Sequence, residues 1–341
     1  MADYKGIKGF NVQSLSSDPS NLAQGEIWYN STSNTLKGFA NIGASWASGG
    51  NLNTGRSGAG SATGTTSAGL CANGGGPAPA ADEQNTETYD GTTWTQTGNS
   101  TNRNMTLSSM SGTVTAAFIF GQEVGCDSYN GSSWTDPGND MNTARMGGGG
   151  GGGPSGQTSS IYGGGYIFTG PPGPNYRTPL TETYDGSSWT EVNAMNTARL
   201  YSGSAQGAPQ TTALVYGGQS VGWPTTPDYV SLTEQWNGTA WTEVGDLNNG
   251  RREMSSFGIS TAAFAAGGLE SATPPYFKKT EQYNGTAWTE VADMGSAVSY
   301  AMAAGSSTAA FAAGGNEVPG TVSATEEWAD PTYATLTFTS S

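Results

Sequence analysis

One acidic, tryptophan-bearing unit recurs along this chain and constrains its fold more than any other feature. "TETYDGSSWTEV" runs from Thr181 to Val192, and near-copies begin at Thr86 ("TETYDGTTWTQT"), Gly125 ("GCDSYNGSSWTDP"), Thr233 ("TEQWNGTAWTEV") and Thr280 ("TEQYNGTAWTEV"). Aligned on their second aromatic, the units place Trp94, Trp134, Trp189, Trp241 and Trp288 at intervals of 40, 55, 52 and 47 residues. A period of this length is that of β-propeller blades, four-stranded sheets that hide their faces against neighbouring sheets.

The remainder of each period agrees. About twenty residues before each unit lies an apolar run, usually closed by glycines: "AGLCANGGG", "AAFIFGQ", "SSIYGGG", "TALVYGG" and "AAFAAGG", with a sixth at Ala309. These read as second strands. Upstream sit small, glycine-rich stretches such as "NTARMGGGGG" and "NTARLYSGSA", read as innermost strands crowded around a channel. The Asp-Gly or Asn-Gly between aromatic runs is a strong short-range hairpin signal. Strand three is therefore expected to end at Tyr184 and strand four to begin near Trp189. Asp90, Asn130, Asp185, Asn237 and Asn284 become turn residues, since a catalytic carboxylate would not alternate with asparagine.

An acid recurs two positions before the first aromatic, at Glu87, Asp127, Glu182, Glu234, Glu281 and Glu326. A base opens five first strands, at Arg56, Arg103, Arg145, Arg199 and Arg251, with no counterpart in the sixth. Once per blade, such charges read as a structural ion pair or backbone clamp. The expected fold is all-β: a six-bladed kelch-like β-propeller over residues 46–341, closed by the termini, with a short N-terminal β-hairpin extension. The outer strand of the sixth blade comes either from the segment holding Trp46 or from the one holding Tyr333. The copy of the link in "NLNTGR" after Trp46 favours the former. Residues 1–45 stand outside the repeat, and "GEIWYNSTSNTLKGF" within them reads as a hairpin that docks onto another subunit.

Composition narrows the chemistry. With 53 glycines and 11% charged residues the chain could be disordered, but 10 tryptophans and 15 tyrosines in register supply a core. The net charge of −15, with 12 scattered bases, argues against nucleic acid as a partner. No run reaches the ~18 apolar residues of a membrane helix, and the N-terminus lacks a signal-peptide core, so a soluble product of the cytoplasm is expected. Histidine is absent, which removes the commonest general base and metal ligand. Cys71 and Cys126 read as small buried residues. No cofactor or metal is expected. The sequons at Asn30, Asn99, Asn237 and Asn284 follow from turn chemistry.

The double glycine ending strand two, followed by an aromatic, a turn and a tryptophan, resembles kelch propellers. Together with "MADYKGIKGFNVQSLSSDPSN" and "GEIWYNSTSNTLKGF", the repeats are similar to kelch-like structural proteins of tailed bacteriophages, notably those of marine bacteria and cyanobacteria. That resemblance spans nearly the whole chain. It implies a non-enzymatic virion protein, tail- or fibre-associated, made in the host cytoplasm and bound to other virion proteins through its N-terminal segment. Homo-oligomers are compatible with it. Asp-Gly or Asn-Gly replaces the usual kelch Asp-Pro turn, leaving the hairpin intact. Copper-oxidase chemistry of kelch proteins would need histidines, and glycoside hydrolysis two carboxylates facing each other across a cleft.

The connections between second and third strands vary most: "TGPPGPNYRTPL", "SVGWPTTPDYVS" and "ESATPPYFKK" among them. They carry Tyr176, Arg177, Trp223, Tyr229, Tyr276, Phe277, Lys278 and Lys279 on proline-stiffened loops, the candidate binding face for a host surface glycan or protein. A carbohydrate-binding adhesin is the alternative reading.

Overall fold

The computed structural model describes residues 12–23, 25–58, 61–75, 84–101, 107–122, 125–167, 176–220, 229–270, 276–318 and 320–338. Among them there is no α-helix, only strands and two single 3-10 turns at Gly153–Ser155 and Gln210–Thr212. The chain divides into two compact units, one of residues 1–45 with 329–341 and one of residues 46–328. The sequence reading kept 46–341 together. The difference arises because the strand Thr325–Phe338 runs on without a turn past Trp328, where the repeat ends.

In the larger unit, five antiparallel four-stranded sheets follow one another along the chain. The third is representative: Gly149–Gly151, Ser160–Gly163, Thr181–Tyr184 and Trp189–Val192 pair in that order. The expected hairpin boundaries at Tyr184 and Trp189 are met, and the two residues face each other across the strands. Their rings lie 5.2 Å apart, and the equivalent pair Tyr89–Trp94 stacks at 4.7 Å. The connecting turn is held by Asp185 Oδ1, which accepts from the backbone of Ser187 and Ser188 at 2.8 and 2.9 Å. Gly186 adopts φ +96°, open to glycine at little cost. Asn237 and Asn284 accept the same backbone bonds, which explains why Asp and Asn interchange here.

The first strands are small because their neighbours leave no room. A Cβ on Gly150 would come within 2.9 Å of Ile161 O, and one on Gly152 within 2.3 Å of Ser159 O. Adjacent first strands touch directly: Thr63 Oγ1 donates to Gly112 O at 2.7 Å, and Ser204 Oγ to Gly150 O at 2.9 Å.

A sixth sheet has the order Met302–Gly305, Ala309–Ala313, Thr325–Phe338, Thr35–Ser48, Ile27–Asn30, Gln13–Leu15. Its fourth strand carries Trp46, the favoured donor, while the segment with Tyr333 belongs to the third. The expected N-terminal hairpin is present, with Ile27 opposite Gly38.

Tryptophan indoles tie neighbouring sheets together. Trp134 Nε1 donates to Thr86 Oγ1, Trp241 to Thr181, Trp288 to Thr233, Trp46 to Thr280 and Trp94 to Thr325, all at 2.9–3.1 Å. Each acceptor is the threonine that opens the third strand of the sheet before. At Trp189 the equivalent residue is Cys126, and the indole nitrogen has no oxygen acceptor.

The repeated charges form the clamp expected of them. Buried Arg56, Arg145, Arg199 and Arg251 pair with Glu87, Glu182, Glu234 and Glu281 in their own sheets. Each glutamate also receives the backbone and side-chain amides of an asparagine three residues before the arginine, as Asn142 does with Glu182 at 2.8 Å each. In the sixth sheet, among the described residues, Glu326 takes the backbone amides of Gly295 and Ser296 and no arginine. The arginines sit in the link ahead of the first strand rather than at its start. Arg103 lies outside the described residues.

Candidate binding site at the inner ends of the links

Two residues beyond each clamp position the backbone turns left-handed. The residues are Gly58, Leu107, Gly147, Tyr201, Glu253 and Tyr300, with φ between +56° and +83°. Left-handed backbone costs a non-glycine residue roughly 1–3 kcal/mol and persists only where surroundings hold it. Here a run of backbone bonds holds it: Leu107 N to Gly58 O, Gly147 N to Leu107 O, Tyr201 N to Gly147 O, Glu253 N to Tyr201 O and Tyr300 N to Glu253 O, at 2.6–3.1 Å. Six successive links are thereby laced edge to edge by five bonds, and the side chains of three of them meet.

Tyr201, Glu253 and Tyr300 line a cavity of about 70 Å³ together with Ser202, Ser204 and Gln206. Glu253 is 7% exposed. Burial pushes its carboxyl above the usual glutamate range, opposed by Arg252 and by a hydrogen bond that the Tyr300 hydroxyl donates. The same burial, with the Glu253 charge beside it, raises Tyr300 well above an ordinary tyrosine. Arg252 Nε lies 3.0 Å from Glu253 Oε1, and Nη1 donates to Gln219 Oε1 at 3.2 Å. Its guanidinium covers two rings, Tyr201 at 5.2 Å and Tyr229 at 5.3 Å. Tyr201 meets Tyr300 edge to face at 5.8 Å.

Of the residues singled out from the variable loops, this arrangement recruits two. Arg177 lies in the short strand Tyr176–Arg177, opposite Tyr166. Tyr201, Tyr166 and Arg252 all act on its charge, although burial is the main influence and lowers its pKa. Tyr229 bridges to Gln219 and lies under Arg252. Tyr176 is 50% exposed, pointing away from the core. Tyr276 and Phe277 are half-buried, and Phe277 is stitched by backbone bonds to Gly268 and Val298. Lys278 faces Asp293 at 3.7 Å and Lys279 faces Glu290 at 3.1 Å. Among the described residues no hydrogen bond or ion pair joins these last four to the Arg252 cluster. Trp223 lies outside the described residues.

Sequence reasoning missed Tyr201, Arg252, Glu253 and Tyr300. A signal existed: where the repeat has glycine after "ARM" and "GRS", the later units substitute Tyr201, Glu253 and Tyr300, and "RRE" adds a second arginine. Among the described residues no group of three or more His, Cys, Asp or Glu side chains is placed to hold a metal ion. The chemistry assembled here is a cation over two aromatic rings, hydroxyls and one buried carboxyl.

No family model matches the sequence, and no curated protein matches it. The fold has solved relatives: the structure of YjhT, a kelch-like propeller, superposes with a TM-score of 0.65 at 10% identity, covering 84% of this chain and 99% of that one. At that identity the likeness speaks for the fold alone, and the chain is propeller-like in architecture.

Proposed function

We propose that the six sheets form a closed six-bladed kelch-like propeller and that the protein is a non-enzymatic structural component of a tailed-phage virion, tail- or fibre-associated. Closure is supported by the indole bonds, which step from a sheet to the one before at every junction but that of Trp189 and return through Trp94–Thr325 and Trp46–Thr280. The observation that carries the functional reading lies in the smaller unit. Val12, Ile27, Leu336 and Phe338, at 37–45% exposure, are four of the seven large apolar side chains exposed among the described residues. Apolar groups gathered on a small unit suit contact with another protein. The resemblance of its sequence to phage kelch-like proteins supplies the kind of partner, another virion protein.

An antibody raised against the protein should detect it in purified particles. Replacing Val12 and Ile27 together by Ser should deplete it from particles while the protein still accumulates in lysate. Absence of the wild-type protein from particles overturns the reading. The alternative, a carbohydrate-binding adhesin, is favoured by exposed Tyr176 beside the Arg177 and Arg252 cluster. Glycan-array binding by the isolated protein together with slower host adsorption of a Tyr176→Ser phage would support it.

A further inference from the structure

We propose that the turns at Asn130, Asn237 and Asn284 are deamidation sites promoted by the fold, at which the chain converts its own asparagine into aspartate or isoaspartate. Each of these exposed asparagines precedes a glycine in the hairpin between third and fourth strands. The three glycines share φ of +92° to +94°, so one geometry is built three times. Each asparagine Oδ1 accepts two backbone amides, from Ser132 and Ser133, from Thr239 and Ala240, and from Thr286 and Ala287, at 2.9–3.0 Å. The first bond of each pair closes a ring of atoms that contains both the side-chain carbon Cγ and the glycine nitrogen. Among the described residues no hydrogen bond within the chain holds the amide of Gly131, Gly238 or Gly285. A glycine also has no Cβ to crowd the approach of its nitrogen.

These are the parts of an intramolecular acyl transfer. Solvent hydroxide removes the glycine amide proton, the nitrogen attacks Cγ, and the carbonyl electron pair moves onto Oδ1. The two backbone amides already on Oδ1 are placed to hold that oxyanion, and the short ring replaces a bimolecular encounter. The Cγ–Nδ2 bond then breaks, ammonia leaves with a proton from water, and a succinimide remains. Water adds to either ring carbonyl and opens it to aspartate or isoaspartate. Each event consumes water, releases ammonia and adds one negative charge. The aspartate product fits, because Asp90 and Asp185 occupy the same turn position and accept the same pair of amides at 2.8–2.9 Å. The isoaspartate product instead adds its methylene to the backbone of the turn. The dipeptide alone does not decide the reaction. Asn73 also precedes a glycine, but it is 0% exposed and its Oδ1 accepts from the buried Ser100 hydroxyl. Asn249, before Gly250, is half-buried, and among the described residues no backbone amide reaches its Oδ1.

These sites do not depend on the virion reading, because their test uses the isolated full-length protein. Folded protein is kept in mildly alkaline buffer made with heavy-oxygen water, and a second sample in the same buffer with enough guanidinium chloride to unfold it. Peptide mapping by mass spectrometry follows heavy-oxygen incorporation at each asparagine that precedes a glycine. An oxyanion donor in an enzyme is worth about a hundredfold to a thousandfold, and solvent access to these turns reduces that to about tenfold. Asn130, Asn237 and Asn284 should therefore react about tenfold faster in the folded chain than in the unfolded one, and faster than folded Asn249, while folded Asn73 stays intact. Unfolding should bring Asn73 and Asn249 to rates similar to those of the turn asparagines, since only the shared dipeptide then remains. Gly285→Ala should slow the reaction of Asn284 and leave that of Asn237 unchanged. Turn asparagines that react no faster folded than unfolded, or a folded Asn73 that reacts as fast as they do, would overturn the proposal.

Discussion

The indole nitrogen of Trp94 donates to Thr325 Oγ1 at 3.0 Å, across 231 residues of sequence, and both side chains are buried. A bond of this reach joins the first repeat to the last. Thr325→Val keeps the shape but orphans the indole N–H, and should lower unfolding free energy by about 1–3 kcal/mol. Trp94→Ala, which also empties the space of a core aromatic, should cost roughly 3–5 kcal/mol. Urea denaturation measures both, and near-neutral values would refute the role given to the tryptophan frame.

Cys126 is the one threonine position of the indole series that lacks an oxygen among the described residues. Burial pushes its thiol up to about 12, with only partial relief from Trp189. Cys126→Thr offers Trp189 Nε1 the acceptor its counterparts have and should stabilise the fold by about 0.5–1.5 kcal/mol. A loss of stability would mean that the extra methyl is not accommodated. In the unmodified protein both thiols should react with a thiol reagent only after unfolding, because both are buried.

The Arg145–Glu182 clamp should behave as one unit. Arg145→Met leaves a buried carboxylate without its cation and should cost roughly 3–5 kcal/mol. Adding Glu182→Gln should recover part of that loss, since the amide oxygen still accepts from Asn142. Thermal or urea unfolding of the two variants decides it. Additive losses would show that the pair is not coupled.

Two carboxyls should pull stability in opposite directions with pH. Hydrogen bonds from Lys37, then Asn30 and Trp28, hold Asp18 at about 2 against an ordinary 3.8. Its folded value is depressed, so its contribution is present above pH 3.8 and fades as pH falls towards about 2. The Trp28 indole N–H resonance should report that loss. Glu253 is raised by burial above its ordinary 4.5, against the pull of Arg252 and Tyr300. Its contribution is greatest below pH 4.5 and declines as pH rises through the folded value. Wild type should therefore lose stability relative to Glu253→Gln as pH rises. A difference that stays flat with pH would contradict the burial assigned to Glu253.

Much of the architecture was legible in the linear sequence because its determinants are local. The Asp-Gly and Asn-Gly turns need only a side chain that bonds its own backbone and a glycine at positive φ, so the hairpin from Tyr184 to Trp189 could be placed by inspection. The glycine-rich first strands and the Arg–Glu clamp were readable because the repeat prints each of them several times over. The binding cluster was not legible, apart from Arg177 and Tyr229. Tyr201, Glu253 and Tyr300 come from three repeats, 52 and 47 residues apart, and look individually like failures of the pattern. They become neighbours because the laced backbone at the ends of the links brings equivalent positions together. Periodicity specifies each sheet from short-range chemistry, whereas which odd residues of different sheets share a cavity is decided by long-range packing alone.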